Sequence, residues 1–126
     1  MVKNAKIYRN SEKKAIDLVA KILKAKKVER NRGVFDWLRG DTGMRLRVDV
    51  WFPEYELVME YHGIQHFKPN KHMDRRQGRA VQRRKYTELR RRLIPKHGLK
   101  LLELRYDKPL TELCIRTKLA QLRCKV

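Results

Sequence analysis

The sequence has few of the features that mark secreted or membrane proteins. It contains two cysteines, Cys114 and Cys124, which follow no metal-ligand spacing and are typical of reduced thiols in an intracellular protein. No apolar run approaches the roughly 20 residues of a membrane span, and the opening MVKNAKIYRN lacks the apolar core of a secretory signal. We therefore expect a cytoplasmic protein of a bacterium, an archaeon or a phage-infected cell, with no membrane partner.

Internal repeats, low-complexity tracts and linkers are also lacking. The 126 residues are 41% hydrophobic, which is enough for one modest core. We expect residues 1–126 to form a single domain.

Acidic residues are scarce relative to basic ones. There are 14 Asp and Glu residues against 33 Lys and Arg, which gives a net charge of +19. Because such an excess repels itself in a compact state, it points to a polyanionic partner, DNA or RNA first of all. The alternative, which needs no polyanionic partner, is a chain that is basic for solubility or salt tolerance.

The spacing of the apolar residues predicts an α/β fold. Ser11 precedes a helical pattern and is expected to cap that helix, with Glu12 at the positive end of the helix dipole. Residues 28–44 contain three glycines and indicate a short strand or loop that packs inward. The other predicted elements are a strand over 46–52, a turn over 53–55, a strand over 56–61, a helix over 74–94, a strand over 99–106 and a helix over 110–124 with Pro109 in its first turn.

This order of elements predicts a small mixed sheet flanked by helices. The first two clear strands are separated by a tight turn and should form an antiparallel hairpin. The strand after the basic helix can lie parallel to a neighbour through a right-handed crossover. The last helix carries Leu110, Leu113, Cys114 and Leu122, which would either cover the sheet or form the interface of a homodimer.

Two carboxylates are predicted to meet at one end of the hairpin. Asp49 lies six residues before the centre of the turn and Glu60 lies five residues after it, so they are near neighbours in an antiparallel pair. Adjacent carboxylates repel at pH 7 unless a cation lies between them. Mg²⁺ prefers carboxylate, water and phosphate oxygens. We therefore expect Asp49 and Glu60 to bind Mg²⁺, with Mn²⁺ able to replace it and no organic cofactor.

Other polar side chains are candidates for the same site. His62 and His66 fall beside the expected metal, where a neutral imidazole could take a proton from an attacking water. Gln65 could hold that water, and Glu12 is a further candidate, although a first-turn glutamate is also ordinary dipole chemistry. The residues leave the base open among His62, His66 and a water bound by Gln65, and both histidines could instead be structural.

The pattern resembles the D…(D/E)xK signature of the PD-(D/E)XK nuclease superfamily, with Asp49, ten intervening residues and then Glu60. The phrase VMEYHGIQHF is similar to the one that carries the site in very-short-patch-repair endonucleases and their phage and homing relatives. The phrases VDVWFP and HGLKLLELRY are similar to flanking strands of that branch, and the resemblance covers roughly residues 11–107. His62 stands at the position of the superfamily's lysine, where this branch often has an acid.

The resemblance implies a restriction-endonuclease-like core and an endonuclease that cuts DNA phosphodiesters with Mg²⁺. Nothing in the sequence looks like a base-reading module, which favours structure-selective cutting of branched DNA such as a Holliday junction, or nicking, as in DNA repair and recombination. A mismatch or a specific duplex site stays open as the substrate. The alternatives are a non-catalytic basic nucleic-acid-binding protein or accessory subunit on the same fold, and a ribosomal or RNA-packaging protein.

The second predicted helix is unusually basic. Residues 75–96 contain ten Lys or Arg and one acid. Like charges four residues apart destabilise an isolated helix, and a phosphate backbone would relieve that repulsion. We expect this helix to contact DNA phosphates, with Arg79 and Arg83 on its solvent side, away from Val81, Leu89 and Leu93. The candidate contact residues are Arg75, Arg76, Arg79, Arg83, Arg84 and Lys85.

Overall fold

The computed structural model describes the backbone of residues 2–63 and 78–124 and the side chains of residues 11–63 and 81–124. In chain order its elements are α1 (Val2–Leu23), β1 (Glu29–Arg32), β2 (Val48–Phe52), a 3₁₀ turn (Pro53–Tyr55), β3 (Leu57–His62), α2 (Gly78–Lys96), β4 (Lys100–Arg105) and α3 (Glu112–Gln121).

The four strands form one mixed sheet in the order β1-β2-β3-β4. The pairs β1–β2 and β2–β3 are antiparallel, and β3–β4 is parallel. The hairpin turn ends at Glu56, which adopts a left-handed conformation with φ of 50°. The predicted α/β class, with a hairpin and one parallel strand in a mixed sheet, is therefore confirmed.

One face of the sheet packs against α1 and α3. Side chains alternate between the two faces of a strand, so Leu57, Met59 and Tyr61 of β3 all lie on this side. They are buried in one cluster with apolar residues of the two helices. The helix residues in this cluster are Ala15, Ile16, Val19, Ile22 and Leu23 of α1 and Ile115 and Leu119 of α3.

The opposite face is covered by α2 and by the loop after β1. Val58 of β3 is buried here with Phe35 and Leu38 of the loop and Ile94 of α2. The segment 28–44, predicted as a strand or an inward-packing loop, is both: β1 followed by this loop. Glu60 and His62 have the same parity as Val58 and therefore share its face of β3.

The start of the first helix was predicted wrongly. Helix α1 begins at Val2, so Ser11 is an interior residue and does not cap it, and Glu12 is not at the positive end of the dipole. The nine residues before Ser11 contain no Pro or Gly that would stop a helix. A serine inside a helix costs only a fraction of a kcal/mol, about 0.5, so the helix continues through it.

The ends of the other helices also differ from the prediction. Pro95 lies inside the last turn of α2 instead of beyond it, and Gly98, with φ of 78°, closes that end in the left-handed region. Helix α3 is capped by Thr111, whose side chain accepts a hydrogen bond from the Cys114 backbone at 3.2 Å. Pro109 therefore precedes the cap and is not in the first turn.

The predicted apolar face of α3 is divided. Leu110 and Leu122 pack against the core, whereas the Leu113 side chain is 76% exposed. A homodimer through this helix stays a prediction. Within the described ranges, no helix combines the length and the apolar character needed to cross a bilayer.

Candidate functional site

Asp49 and Glu60 lie beside each other at the end of the hairpin that is distant from the turn. The β2–β3 register pairs Val50 with Met59, and one further step places Asp49 opposite Glu60. The Asp49 backbone N–H donates to Glu60 Oε2 at 2.9 Å, and the Tyr61 backbone N–H donates to Asp49 Oδ2 at 2.8 Å. The structure thus brings together the two carboxylates that were predicted to converge.

Glu60 is a buried acid that is ion-paired with an arginine of α2. Only 5% of the residue is exposed, and its Oε1 lies 2.9 Å from Nε of Arg90 on α2. Burial and the neighbouring charge of Asp49 raise the pKa of Glu60 well above its ordinary value, although Arg90 acts in the opposite direction. The raised pKa means that a second negative charge beside Asp49 is disfavoured, so a proton or a cation close to the two acids would stabilise the pair.

Glu12 reaches the same place from helix α1. Its side chain lines a cavity of about 310 Å³ together with Asp49 and Glu60. Burial and the charge of Asp49 raise the pKa of Glu12, and Arg30 acts to lower it. Glu12 is thus close to the predicted site, but because α1 crosses the end of the hairpin and not because it begins a helix.

Helix α2 forms the basic wall of this acidic cavity. Arg83, Tyr86, Thr87 and Arg90 line it. The predicted faces of α2 are right in part, because Leu89 and Leu93 pack against the core. The prediction is wrong for Arg83 and Val81: Arg83 is half-buried, whereas Val81 is 57% exposed. The rotation of α2 is set by the apolar residues of its last two turns, which pack on the sheet, and not by the isolated Val81.

The donor set of the acidic cavity fits a hard divalent cation. An Mg²⁺ ion could lie between the two carboxylates in place of a proton. Water and phosphate oxygens would then complete its coordination shell, as is usual for Mg²⁺. Among the residues whose side chains are described, no three His, Cys, Asp or Glu groups are clustered so that they alone could hold a metal. Asp49 and Glu60 are therefore the described residues that could serve as ligands of such an ion.

His62 is held by an acid that the sequence analysis missed. Its side chain is 7% exposed, and its Nε2 lies 2.7 Å from Glu103 Oε2 on the neighbouring strand β4. Glu103 in turn accepts hydrogen bonds from Arg91 Nε at 2.9 Å and Arg91 Nη2 at 2.8 Å. The signal was present in the sequence, because an acid inside the apolar strand LKLLELRY needs partners to be buried.

This pairing predicts a pH-dependent stability. Burial acts to raise the pKa of Glu103, but hydrogen bonds from His62 and Arg91 outweigh it and lower the pKa from 4.5 to about 2. A carboxyl group whose pKa is lowered by folding stabilises the folded state at every pH above its pKa in the unfolded chain. This stabilisation is lost as the pH falls toward 2. Glu103→Gln should therefore lower the free energy of unfolding near pH 6 by on the order of 2 kcal/mol, discounted for partial exposure.

Urea denaturation across a pH series measures the effect of this substitution. The difference between wild type and Glu103→Gln should shrink between about pH 5 and about pH 2. Glu112→Gln, which removes an exposed pair with Arg116, is the matched control and should change stability by less than about 0.5 kcal/mol. A Glu103→Gln deficit that stays constant down to about pH 2 would contradict the ionic contribution.

The remaining predicted residues divide into two groups. Arg84 and Lys85 are exposed on α2, and Lys85 Nζ lies 2.8 Å from Asp41 Oδ1, which ties the helix to the loop before β2. The residues that lie outside the described part are Gln65, His66, Arg75 and Arg76, together with the side chain of Arg79. Their roles stay predictions.

Comparison with known proteins gives one relative and no assignment. No family model matches the chain, and no solved structure matches it. It is 32% identical over 72 residues to "Uncharacterized protein 033L" of Invertebrate iridescent virus 3, which is 57% of this chain and 37% of the viral protein. The match thus covers little more than a third of that relative's length, and the relative's name specifies no activity.

Proposed function

We propose that the protein is a Mg²⁺-dependent DNA endonuclease on a restriction-endonuclease-like core. The observation that carries this proposal is the pair of carboxylates, Asp49 and Glu60, in a cavity whose opposite wall is the basic helix α2. A protein that only grips phosphate gains nothing from acids at the bottom of a basic surface, because acids repel phosphate unless a cation lies between them.

The residues of the cavity have separate tasks in this proposal. Asp49 and Glu60 hold the ion, and a bound Mg²⁺ would polarise the scissile phosphate and lower the pKa of a water. Arg83, on the wall, contacts the phosphate backbone. Glu12, the third carboxylate of the cavity, would add negative charge beside the ion.

His62 is the described candidate for moving the proton. An ionised carboxylate only accepts hydrogen bonds, so the His62 nitrogen facing Glu103, Nε2, carries the hydrogen. The nitrogen that would take a proton from water is then Nδ1. His66 and a water bound by Gln65 are the other proposed bases.

A second function has its own supporting observation. Glu60 is ion-paired with Arg90, and both acids accept hydrogen bonds from backbone amides, so each has a structural partner within the protein. This arrangement favours a non-catalytic nucleic-acid-binding protein or accessory subunit on the same fold.

Incubation with a panel of DNAs separates the two functions. Linear, nicked and four-way DNA should be tested with Mg²⁺, with Mn²⁺ and with a chelator. Cleavage that needs the divalent ion supports the endonuclease, and preference for the four-way or nicked form would identify it as structure-selective. Tight binding with no cleavage of any form under either metal would support the binding protein.

The basic helix should make binding depend strongly on salt. Each phosphate contact releases counterions, and log K falls with log salt at a slope near −0.9 per contact on duplex DNA. Replacing Arg83 and Arg84 by Gln should weaken binding to all sequences alike and make the slope shallower by about one to two units. DNA affinity across a salt series measures this change.

The control for this measurement removes the same charge elsewhere. Lys26 and Lys27 donate their backbone amides to Glu54 in the hairpin turn, at the other end of the sheet from the acids. Their replacement by Gln should leave the slope close to that of wild type. Equal slopes for the two double variants would mean that α2 faces something other than nucleic acid.

A further inference from the structure

A second cavity lies next to the acidic one and has the opposite charge. It measures about 360 Å³, against about 310 Å³ for the acidic cavity, and His62 lines both. Its wall is formed by the ends of β3 and β4, by α2 and by α3. The other lining residues are Arg91, Glu103, Arg105, Lys108, Pro109, Cys114 and Lys118.

The charges in this basic cavity are not balanced from within. Glu103 is its one acidic lining residue and is already bonded to His62 and Arg91. The ion pairs described in this region join Arg91 to Glu103 and Arg105 to Asp107. Lys108 and Lys118 form no ion pair with any described side chain. Lys108, in the loop after β4, and Lys118, on α3, are therefore the lining cations that no described ion pair balances. Their mutual repulsion would be relieved by an anion that lies between them.

The position and lining of the cavity specify the kind of anion. It has the size of a site for a small ligand, and Pro109 and Cys114 give it an apolar wall beside the cations. A phosphate diester next to its sugar has this combination of charge and apolar surface. Because His62 lines both cavities, they are adjacent, and a strand that crosses the acidic cavity can reach the basic one.

We propose that the basic cavity binds a second phosphate of the same nucleic-acid strand whose scissile phosphate lies over Asp49 and Glu60. This inference rests on the proposed function for the identity of the strand. Lys108 and Lys118 are the residues that contact the phosphate. With one phosphate held on each side of His62, the strand is fixed in direction as well as in position.

The two cysteines provide a direct measurement of occupancy. Cys114 lines the cavity and is half-exposed, whereas Cys124 is buried and 8% exposed. A linear duplex of about 20 base pairs, at about ten times its Kd, should slow alkylation of Cys114 by iodoacetamide about ten-fold, since about one tenth of the protein stays free. Alkylation of Cys124, mapped by mass spectrometry in the same samples, is the internal reference.

Two double variants test whether the lysines hold the phosphate. Lys108→Gln with Lys118→Gln should weaken duplex binding about ten-fold, the effect of losing a charged hydrogen bond, and should make the salt slope shallower by about one unit. With the duplex again at about ten times the variant's own Kd, protection of Cys114 should fall well below ten-fold. Lys26→Gln with Lys27→Gln removes the same charge far from the cavity and should keep both the slope and the protection.

The outcomes distinguish this inference from the proposed function. Protection of Cys114 that depends on Lys108 and Lys118 supports the second phosphate site even if no DNA is cut. Cleavage of DNA without protection of Cys114, or equal behaviour of the two double variants, overturns the site and leaves the endonuclease standing.

Discussion

Asp49→Asn and Glu60→Gln should each reduce Mg²⁺-dependent cleavage by at least about 10³-fold at saturating DNA. A metal that polarises a phosphate contributes several kcal/mol to the transition state, and each 1.36 kcal/mol is a factor of ten in rate. DNA binding without metal should be unchanged or slightly tighter, because each substitution replaces a carboxylate that would repel phosphate if the proposed function is correct. Single-turnover cleavage and DNA affinity are the two measurements.

Glu56→Gln is the matched control for Glu60→Gln. Glu56 is exposed and lies at the other end of the β3 strand, beside the hairpin turn. Its substitution should leave the cleavage rate close to that of wild type. Thermal denaturation of all three variants identifies any loss that comes from unfolding, since Asp49 and Glu60 also accept backbone amides. Near wild-type cleavage by folded Asp49→Asn and Glu60→Gln would refute the metal site.

His62→Ala should slow cleavage by about 10²–10⁴-fold if His62 is the general base. The imidazole is bonded to Glu103, which is itself held by Arg91. The substitution therefore removes a side chain that is fixed in one orientation. If His66 has this role instead, His66→Ala will show the decrease and His62→Ala will not. Single-turnover rates at saturating DNA separate a chemical defect from weaker binding.

His97→Ala is the control for the two histidine variants. His97 stacks on Trp37 with ring centroids 3.8 Å apart and does not line the acidic cavity. Its substitution should not change the single-turnover rate. If neither His62→Ala nor His66→Ala changes that rate, both histidines are structural.

The parts of the fold that depend on local pattern could be predicted from the sequence. The alternation of apolar residues over 46–52, followed by a tight turn and a second strand, fixes the hairpin and its register. Because the register follows from the turn, counting outward from it was enough to place Asp49 beside Glu60. The class of the sheet followed from the order of the elements.

The parts of the site that depend on packing could not be predicted in this way. Glu12 reaches the acids because α1 crosses the end of the hairpin, and Arg90 reaches Glu60 because α2 lies across the sheet. The predicted orientation of Arg83 and Val81 on α2 was wrong because few residues in this helix are apolar. The periodicity that would indicate its buried face is therefore weak. The pairing of Glu103 with His62 was missed because β3 and β4 are far apart in the chain, so that local pattern does not show which residues lie side by side.

That long-range pairing predicts an order of assembly for the protein. The parallel register joins Leu57 to Lys100, which are 43 residues apart. Closing such a loop lowers the entropy of the chain before any contact between the strands can offset that loss. The hairpin closes a far shorter loop and forms early, whereas β4 must wait for α2, whose cations repel one another until the helix docks. A newly made chain thus carries Asp49 and Glu60 side by side before Arg90 arrives to neutralise them.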